Sequence, residues 1–359
     1  MKKNILITAY SLDLGGIETS LINLLKNIDY KNYDVTLILE KKTGLFLEQV
    51  PSEVNVIDYN LYSSKNVLKR KIINRSKLLF WKFKLHNKFY FSCSFCTYSI
   101  PGSHLARAAS KNNAIWIHGN YYVLYGDKMS KFFESVRIKK FKKIVFVSNE
   151  NKSEICSHYQ EIENKSYVCN NLVDGELILK KSMEKIKYKK NKDEKIFVNI
   201  GRHEEHQKRL SRIISATKRL NDEGYKFKIL FVGDGPDHDI YKGECDSLKL
   251  NNIIFVGRTV NPFPYYRMSD AVILSSEYEG YPVVFLESMI LKKPILSTKI
   301  SDWEDLDDKY GYFCELNSDG VYYNMKKFLD EGFKFKEKFD YKKYNKNILN
   351  KIYEIINEK

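Results

Sequence analysis

The chain alternates short apolar runs with helical patterns, and it does so twice, on either side of a polar stretch at residues 180–195. The apolar runs are rich in β-branched and aromatic residues, which is typical of parallel strands buried on both faces. Strands that alternate with amphipathic helices predict a parallel sheet with helices on both sides. Two such series within 359 residues predict two doubly wound α/β domains.

The apolar runs define the expected strands of each series. In the first series they lie at residues 5–7, 35–39, 54–57, 114–117 and 143–147. In the second series they lie at residues 196–200, 227–232, 253–256, 271–274 and 294–297. A last helical pattern follows them, and its apolar face needs a surface to dock on. The apolar residues of that helix are Ile348, Leu349, Ile352, Tyr353, Ile355 and Ile356.

Composition excludes several classes of protein. A hydrophobic fraction of 43% is enough to build buried cores, which argues against disorder although 29% of residues are charged. No apolar run approaches the roughly 20 residues that a membrane-spanning helix needs. The start, Met1-Lys2-Lys3 and an apolar run, imitates a signal peptide, but Asp13 and Gly15-Gly16 interrupt it early. We therefore expect a buried first strand and a cytoplasmic protein.

The charge is strongly positive, with 60 Lys and Arg against 45 Asp and Glu and a net charge of +15. Such a surplus predicts attraction to nucleic acid, an anionic membrane or phosphorylated substrates. The segment Lys65–Lys88 holds nine Lys or Arg, no acidic residue, and the aromatic residues Phe80, Trp81 and Phe83. This pattern favours an anionic membrane surface, at the inner face of the cell membrane. Single-stranded nucleic acid and a solvated helix with its aromatic residues in the core are the alternatives.

The cysteines are scattered along the chain, and only Cys93 and Cys96 have the spacing of a metal or redox motif. A zinc site needs a second pair or histidines at matching spacing, and none follows nearby. We expect the cysteines to be reduced packing residues, and we expect no metal ion.

The loops that follow the strands are the expected binding sites, because ligands of open parallel sheets bind at the carboxyl ends of strands. The loop at residues 12–20 carries Gly15-Gly16 before a helix, which exposes backbone N–H groups to an anion. It matches neither a dinucleotide fingerprint nor a P-loop. The loop at residues 201–209 carries Arg202 and Lys208, whose charges suit a diphosphate. The alternative interpretation is a plain tight turn for the first loop and a solvated charged turn for the second.

A third loop and the helix after it carry two carboxylates, Glu279 and Glu287. Glu279 lies in the loop, whereas Glu287 lies at the margin of an apolar helix stripe. A carboxylate beside a core face needs a polar partner. Carboxylates accept hydrogen bonds from neighbouring sugar hydroxyls, so this pair fits a ligand with two polyol parts, such as a nucleotide-sugar.

The segment from Glu279 to Glu287, with the sequence E-G-Y-P-V-V-F-L-E, resembles the signature of the family-4 retaining glycosyltransferases. The resemblance extends over nearly the whole chain and implies the GT-B fold, in which two Rossmann-like domains have parallel sheets that face each other across a cleft. The further motifs that carry it are Gly15–Glu18, Ile115–His118, Val145–Ser148, Asn170–Asp174, Gly201-Arg202 with Lys208, Gly233–Pro236 and Asn261-Pro262.

The resemblance also implies a division of labour between the domains. Residues 1–178 would bind the acceptor and residues 179–342 the nucleotide-sugar donor. The closing helix, at residues 343–357, would pack back on the first domain.

Within the donor domain, the resemblance implies that Arg202 and Lys208 hold the diphosphate, that Glu279 binds the donor sugar and that Glu287 binds the ribose. Arg202 and Lys208 stand one residue further apart than in many relatives, so Arg209 is an alternative cation. The other donor-binding residues implied are Gly16, Gly201, Gly233, Gly257, Arg258, Gly280, Tyr281, Pro282 and Val283.

The resemblance also implies specific roles for several of these residues. Gly257 and Arg258 would frame the base, and the backbone of residues 280–283 would contact the sugar. Tyr281 stands where relatives often have Phe, which is expected to alter sugar selectivity. Gly16 would face the donor phosphate or the acceptor, and His118 would lie near the reacting sugar. The residues expected at the chemistry are thus His118, Arg202, Lys208 and Glu279.

The implied reaction is transfer of a sugar from a nucleotide-diphosphate sugar, with a UDP-sugar as first choice, to a hydroxyl of a glycan or lipid-linked acceptor. The anomeric configuration would be retained and no cofactor used, in the synthesis of a bacterial surface polysaccharide. A nucleotide-sugar epimerase or a phosphorylase of the same architecture is the enzymatic alternative. A basic nucleic-acid-binding protein is the less favoured alternative from another class.

Overall fold

The structure is a computed structural model that describes residues 2–186, 188, 190–191 and 194–358. The chain forms two compact units, of which unit 1 comprises Met1–Leu172 with Tyr344–Lys359 and unit 2 comprises Val173–Lys343. The boundary between the units thus follows Leu172, whereas the sequence places it after residue 178. Of the polar connection expected at residues 180–195, residues 187, 189, 192 and 193 lie outside the described residues.

Unit 1 is built on a parallel sheet of seven strands in the order β3-β2-β1-β4-β5-β6-β7. The strands are β1 (Lys3–Ala9), β2 (Tyr33–Leu39), β3 (Asn55–Asp58), β4 (Phe91–Ser94), β5 (Asn113–Ile117), β6 (Lys143–Phe146) and β7 (Ser166–Val168). The helices are α1 (Gly16–Asn27), α2 (Val67–Leu85), α3 (Ile100–Ala109), α4 (Tyr121–Tyr125), α5 (Met129–Val136) and α6 (Asn149–His158). Short 3₁₀ helices lie at Leu47–Gln49, Gly126–Lys128, Ile138–Lys140 and Gln160–Lys165.

Unit 2 is built on a parallel sheet of six strands in the order β10-β9-β8-β11-β12-β13. The strands are β8 (Lys195–Ile200), β9 (Phe227–Val232), β10 (Ile253–Gly257), β11 (Ala271–Leu274), β12 (Ile295–Thr298) and β13 (Gly311–Cys314). The helices are α7 (Gly175–Lys181), α8 (Glu205–Lys208), α9 (Leu210–Asp222), α10 (His238–Ser247), α11 (Phe263–Met268), α12 (Val283–Ile290) and α13 (Ser318–Glu331). A 3₁₀ helix lies at Trp303–Asp305.

The predicted parallel sheets are confirmed, and their burial explains the sequence pattern. The central strands are almost wholly buried, and Phe197 and Phe231 of unit 2 are fully inaccessible in its core. Helix α9 follows β8 and presents Leu210, Ile213 and Leu220 to the same core, which is the helical spacing visible in the sequence. This packing fixes the ends of the strands, and with them the loops that follow.

Helix α14 (Tyr341–Asn357) buries Ile348, Ile352, Ile355 and Ile356. The contacts of Tyr353 and Ile355 on this helix lie in unit 1. The ring of Tyr353 stacks on that of Tyr33 at 5.3 Å between centroids, and the ammonium of Lys143 donates to the backbone carbonyl of Ile355 at 2.7 Å. The apolar face that the sequence shows is thus covered by unit 1. Among the helices that the described residues form, none is long and apolar enough to cross a membrane.

Candidate functional site

The centre of unit 2 has the topology that opens a crevice at the carboxyl edge of a sheet, where the strands end. Successive connections run to opposite sides of β8, first towards β9 and later towards β11, so the ends of the neighbouring strands β8 and β11 flank this crevice. The pairing of these two strands ends at Val198 and Val272. Beyond that point the amide of Asn199 donates to the carbonyl of Ile273 at 2.8 Å, which ties the two strands together beneath the loops.

The loops after β8 and β11 meet in an ion pair between Lys208 and Glu279. Lys208 Nζ lies 2.5 Å from Glu279 Oε1, with side chains only 18% and 10% exposed. Ser276 Oγ donates to the same oxygen at 2.9 Å, and Gln207 Nε2 donates to Oε2 at 3.3 Å. The carboxylate is therefore held in one orientation at the switch point of the sheet. The sequence names Lys208 and Glu279 but gives no signal for Gln207 or Ser276.

A second set of ion pairs fastens the same two loops. Arg212 Nη2 lies 2.5 Å from Glu277 Oε2, and Arg209 Nε lies 3.2 Å from the same oxygen. The backbone N–H of Glu277 donates to the carbonyl of Gln207 at 2.8 Å. Arg209 has a left-handed backbone, with φ of +50°, and it separates α8 from α9. Its guanidinium is engaged by Glu277, so Lys208 rather than Arg209 is the cation beside Glu279.

Glycines at this edge allow close backbone contact between the loops after β8, β9 and β10. Gly233 has φ of +149°, and a Cβ atom there would lie 1.8 Å from the carbonyl oxygen of Gly201. Its N–H donates to the carbonyl of Gly257 at 3.0 Å. Any side chain at Gly233 would therefore push apart the loops after β8 and β9.

Two predicted arginines lie further out. Arg202 is largely exposed, and its guanidinium lies 3.4 Å from the Glu204 carboxylate. Arg258 is also exposed. The roles predicted for Arg202 in binding the diphosphate and for Arg258 in framing the base stay predictions.

Glu287 lies on α12 and is buried, with 8% of its surface exposed. The hydroxyl of Tyr266 donates a hydrogen bond to Glu287 Oε2 at 2.5 Å. Burial raises the pKa of Glu287 to about 7, although the Tyr266 bond lowers it in part. The polar partner that a carboxylate beside the core requires is thus Tyr266, for which the sequence gives no signal. The predicted ribose-binding role of Glu287 stays a prediction.

The turn into α12 shapes the backbone next to Glu279. Pro282 is the N-cap residue of α12, and its fixed φ of −62° suits the entry to a helix. Ser301 Oγ donates to the carbonyl of Gly280 at 2.7 Å and fixes the buried turn. Tyr281 and Val283 flank Pro282 and are half-buried. The contact of these four residues with a donor sugar remains a prediction.

Unit 1 has its own switch point, where connections leave β1 on opposite sides towards β2 and β4. Gly16 starts α1 in the loop after β1, and a Cβ atom there would meet nothing within 4 Å. Tyr98, after β4, donates to Glu18 Oε1 at 3.1 Å. Burial raises the pKa of Glu18. The hydrogen bond between Tyr98 and Glu18 thus joins the loop after β4 to the start of α1.

His118 follows β5 and packs against the ring of Phe95, with 4.6 Å between centroids. Burial lowers its pKa to about 3, so the ring is neutral at physiological pH. Within the described residues, its Nε2 atom is buried without a hydrogen-bond partner. A neutral imidazole with one such nitrogen is suited to bind a polar group of a ligand.

His203, Cys93 and Cys96 are packed side chains. No group of three or more His, Cys, Asp or Glu among the described residues is arranged to hold a metal ion. His203 is buried, and its Nδ1 lies 2.9 Å from Nδ1 of His238 in a stacked pair. Cys93 and Cys96 are buried free thiols, and burial raises the pKa of Cys96 to about 12. Both observations fit packing rather than metal or redox chemistry.

Comparison with known proteins gives a family match over the second half of the chain. Residues 180–346 match the family model described as "Glycosyl transferases group 1". The chain carries a group 1 glycosyltransferase domain. The matched residues include the loops with Lys208 and Glu279.

Curated proteins match this chain over part of their length. An uncharacterized glycosyltransferase of Methanocaldococcus jannaschii is 29% identical over 192 residues, which are 51% of this chain and 47% of that protein. The Campylobacter jejuni enzyme named N-acetylgalactosamine-N,N'-diacetylbacillosaminyl-diphospho-undecaprenol 4-alpha-N-acetylgalactosaminyltransferase is 24% identical over 212 residues, 58% of this chain and 56% of that enzyme. The chain spans about half the length of the curated relatives it matches.

Solved structures share the fold over the whole chain. HepE of Anabaena, crystallised with UDP and glucose, has a TM-score of 0.74 and 14% identity, and the match covers 98% of this chain and 99% of that one. The predicted GT-B class, with two Rossmann-like units, is thereby confirmed.

Proposed function

We propose that the protein transfers a glycosyl group from a nucleotide-diphosphate sugar, with a UDP-sugar as first choice, to a hydroxyl of a glycan or lipid-linked acceptor. The observation that carries this proposal is the Lys208–Glu279 pair at the switch point of unit 2. A phosphate binds a cation, and sugar hydroxyls donate to a carboxylate. In such a donor the sugar is bonded directly to the phosphate, so one ligand meets both side chains.

The relatives support the choice of donor and acceptor. HepE was crystallised with UDP and glucose, and the name of the Campylobacter jejuni enzyme describes an acceptor on diphospho-undecaprenol. A similar role here places the protein in the synthesis of a bacterial surface polysaccharide. It would act in the cytoplasm, at the inner face of the membrane.

The proposed chemistry retains the anomeric configuration. The bond between the anomeric carbon and the phosphate oxygen breaks, and the diphosphate leaves with the electron pair. The acceptor oxygen attacks the same face of the sugar and passes its proton to an oxygen of the leaving diphosphate. The ammonium of Lys208 stabilises the charge that develops on that diphosphate, and Glu279 holds the sugar hydroxyls. The scheme requires no nucleophile from the protein and no metal ion.

The other predicted residues have supporting roles in this proposal. Arg202 is a second cation for the diphosphate, and its exposed side chain has the freedom to turn towards it. Glu287 is proposed to hold the ribose, with Gly257 and Arg258 beside the base. In unit 1, the unpartnered nitrogen of His118 is proposed to bind a hydroxyl.

A screen of nucleotide-sugars by thermal shift tests the donor, since a ligand that binds only the folded state raises the melting temperature. We expect one nucleotide-diphosphate sugar to stabilise the wild type and to lose most of that effect in Glu279→Gln. The matched control is Glu315→Gln, which alters the surface ion pair of Lys299 in the same unit. No stabilisation by any nucleotide-diphosphate sugar would overturn the proposal.

Product analysis then separates the alternatives. The proposed transferase releases the nucleoside diphosphate only when the sugar reaches an acceptor hydroxyl. An epimerase would change the sugar of the donor without an acceptor, and a phosphorylase would require phosphate. Either of those product patterns would contradict transfer.

A further inference from the structure

Helix α2 has two apolar faces, of which one belongs to the core of unit 1. Leu78, Trp81 and Leu85 pack in a cluster with Tyr59 and Leu105. At 100° per residue these three positions of α2 lie on one side of the helix. This face accounts for the way in which α2 is attached to the unit.

The second apolar face points away from the core. Leu68, Ile72, Leu79 and Phe83 are between 57% and 85% exposed. Their spacings of four, seven and four residues place them within about 60° of one another around the helix. Phe80, beside this stripe, is also largely exposed. A surface helix of a globular protein normally carries polar residues on its outer face, so an apolar stripe of this length marks an interaction surface.

Positive charge lies along both sides of the stripe. On the helical projection, Lys69 borders one side, and Arg75 and Lys82 border the other. The segment Lys65–Lys88 contains no acidic residue. An exposed apolar stripe between rows of cations is complementary to an anionic bilayer, whose headgroups attract the cations while its acyl boundary takes up the apolar side chains.

We propose that the outer face of α2, defined by Leu68, Ile72, Leu79, Phe80 and Phe83, docks on the surface of an anionic membrane. Docking would bring the protein to a lipid-linked acceptor in the membrane, and in this respect the inference rests on the proposed function. Helix α2 begins beyond the carboxyl end of β3, at the same edge of the sheet as the loop that follows β1. Because α2 runs back along the sheet to the start of β4, docking through it brings unit 1 as a whole to the surface in which a lipid-linked acceptor is embedded.

Vesicle sedimentation with the full chain tests the docking directly. The probes are phosphatidylcholine vesicles with and without phosphatidylglycerol. We expect the wild type to bind the anionic vesicles at least about tenfold more tightly than the neutral ones. The double variant Phe80→Ser/Phe83→Ser is expected to weaken binding to the anionic vesicles about tenfold. The control Ile240→Ser/Tyr323→Ser changes two exposed apolar residues of unit 2 and is expected to bind like the wild type.

Salt and a competing polyanion sharpen the test. Salt is expected to weaken binding of the wild type in part and to abolish the residual binding of the double variant, because only the apolar contribution resists screening. Wild-type binding that is equal for neutral and anionic vesicles would overturn the proposal, as would a double variant that binds like the wild type. Preference for a single-stranded oligonucleotide over the anionic vesicles would assign the surface to nucleic acid instead.

The result is independent of the proposed enzymatic function. Phe80 and Phe83 are exposed side chains of unit 1, so the double variant should keep the wild-type melting temperature and its increase with the donor. Loss of vesicle binding with an unchanged effect of the donor supports the docking surface alone. A donor screen that fails while vesicle binding follows the expected pattern refutes the proposed function alone.

Discussion

The two units share their central topology but differ at the carboxyl edges of their sheets. In unit 2 the side chains at the switch point bind one another, as in the pair of Lys208 and Glu279 and the bonds of Arg212 to Glu277. In unit 1 the switch point has the Tyr98–Glu18 hydrogen bond in place of an ion pair, and a Cβ atom at Gly16 would meet nothing within 4 Å. The loop after the next strand, β5, carries His118, whose buried Nε2 atom has no partner among the described residues. We interpret unit 2 as preorganised for a charged ligand and unit 1 as the side that leaves room for a ligand.

The largest effect is expected from Glu279→Gln. It keeps the shape of the side chain but removes the charge that faces Lys208, so we expect turnover to fall about 100-fold or more. Initial rates with the donor found by the screen provide the measurement, with Glu315→Gln as the control. Turnover within threefold of the wild type would show that the Glu279 carboxylate does not contribute to catalysis. The proposed difference between the two units would then have no support from this residue.

The glycines of the two edges are expected to differ almost as strongly. Gly233→Ala places a Cβ atom against the carbonyl of Gly201 at an unfavourable φ, so the free energy of unfolding should fall by about 3 kcal/mol or more. Gly16→Ala meets no atom and should change it by less than about 0.5 kcal/mol. Urea denaturation of both variants measures the difference. Equal losses would show that the loops of unit 2 are not packed more tightly there than those of unit 1.

Glu287 differs from Glu279 because it is buried without a cation beside it among the described residues, whereas Glu279 is paired with Lys208. Its pKa is raised from 4.5 to about 7, so its contribution to stability is complete below pH 4.5 and lost once the pH has risen through about 7. Between pH 5 and pH 8 the wild type should lose roughly 2 kcal/mol relative to Glu287→Gln, which does not titrate. Urea denaturation at both pH values gives the difference, and a constant difference would show that Glu287 is ionised throughout.

The smallest of these effects is expected on the unit 1 edge. His118→Asn should lower turnover about tenfold, because it removes the imidazole nitrogen proposed to bind a hydroxyl. The affinity for the nucleoside diphosphate should stay within twofold of the wild type, since the proposed diphosphate site lies in unit 2. Titration calorimetry and initial rates separate the two quantities. A large loss of that affinity would show that His118 contributes to donor binding, and it would contradict the proposed division between the two units.

The sequence predicts the fold well because most strands are continuous apolar runs. It misses β4, β7 and β13, which are short or carry polar residues. In β4, Ser92 and Ser94 alternate with Phe91 and Cys93, yet all four are buried. Ser92 is accommodated because its hydroxyl donates to the carbonyl of Ala106. Such a bond depends on tertiary packing and leaves no mark on hydrophobic periodicity.

The candidate site is predictable residue by residue but not as an arrangement. Lys208 and Glu279 stand out because each follows an apolar strand, whereas their pairing depends on β8 and β11 being neighbours in the sheet. The sequence gives no indication that Tyr266 binds Glu287 or that Gln207 binds Glu279. These contacts join residues distant in the chain, and the order of strands decides them.

The central claim is that the switch point of unit 2 binds a diphosphate and the sugar attached to it. The most direct measurement is calorimetric titration of the wild type and Glu279→Gln with UMP, UDP and the UDP-sugar that gives the largest thermal shift. We expect the wild type to bind UDP at least about tenfold more tightly than UMP, because Lys208 is proposed to contact the second phosphate. Glu279→Gln should bind UDP as the wild type does and lose affinity for the UDP-sugar. Equal affinities of the wild type for UMP and UDP, together with an unchanged affinity of the variant for the UDP-sugar, would contradict the claim.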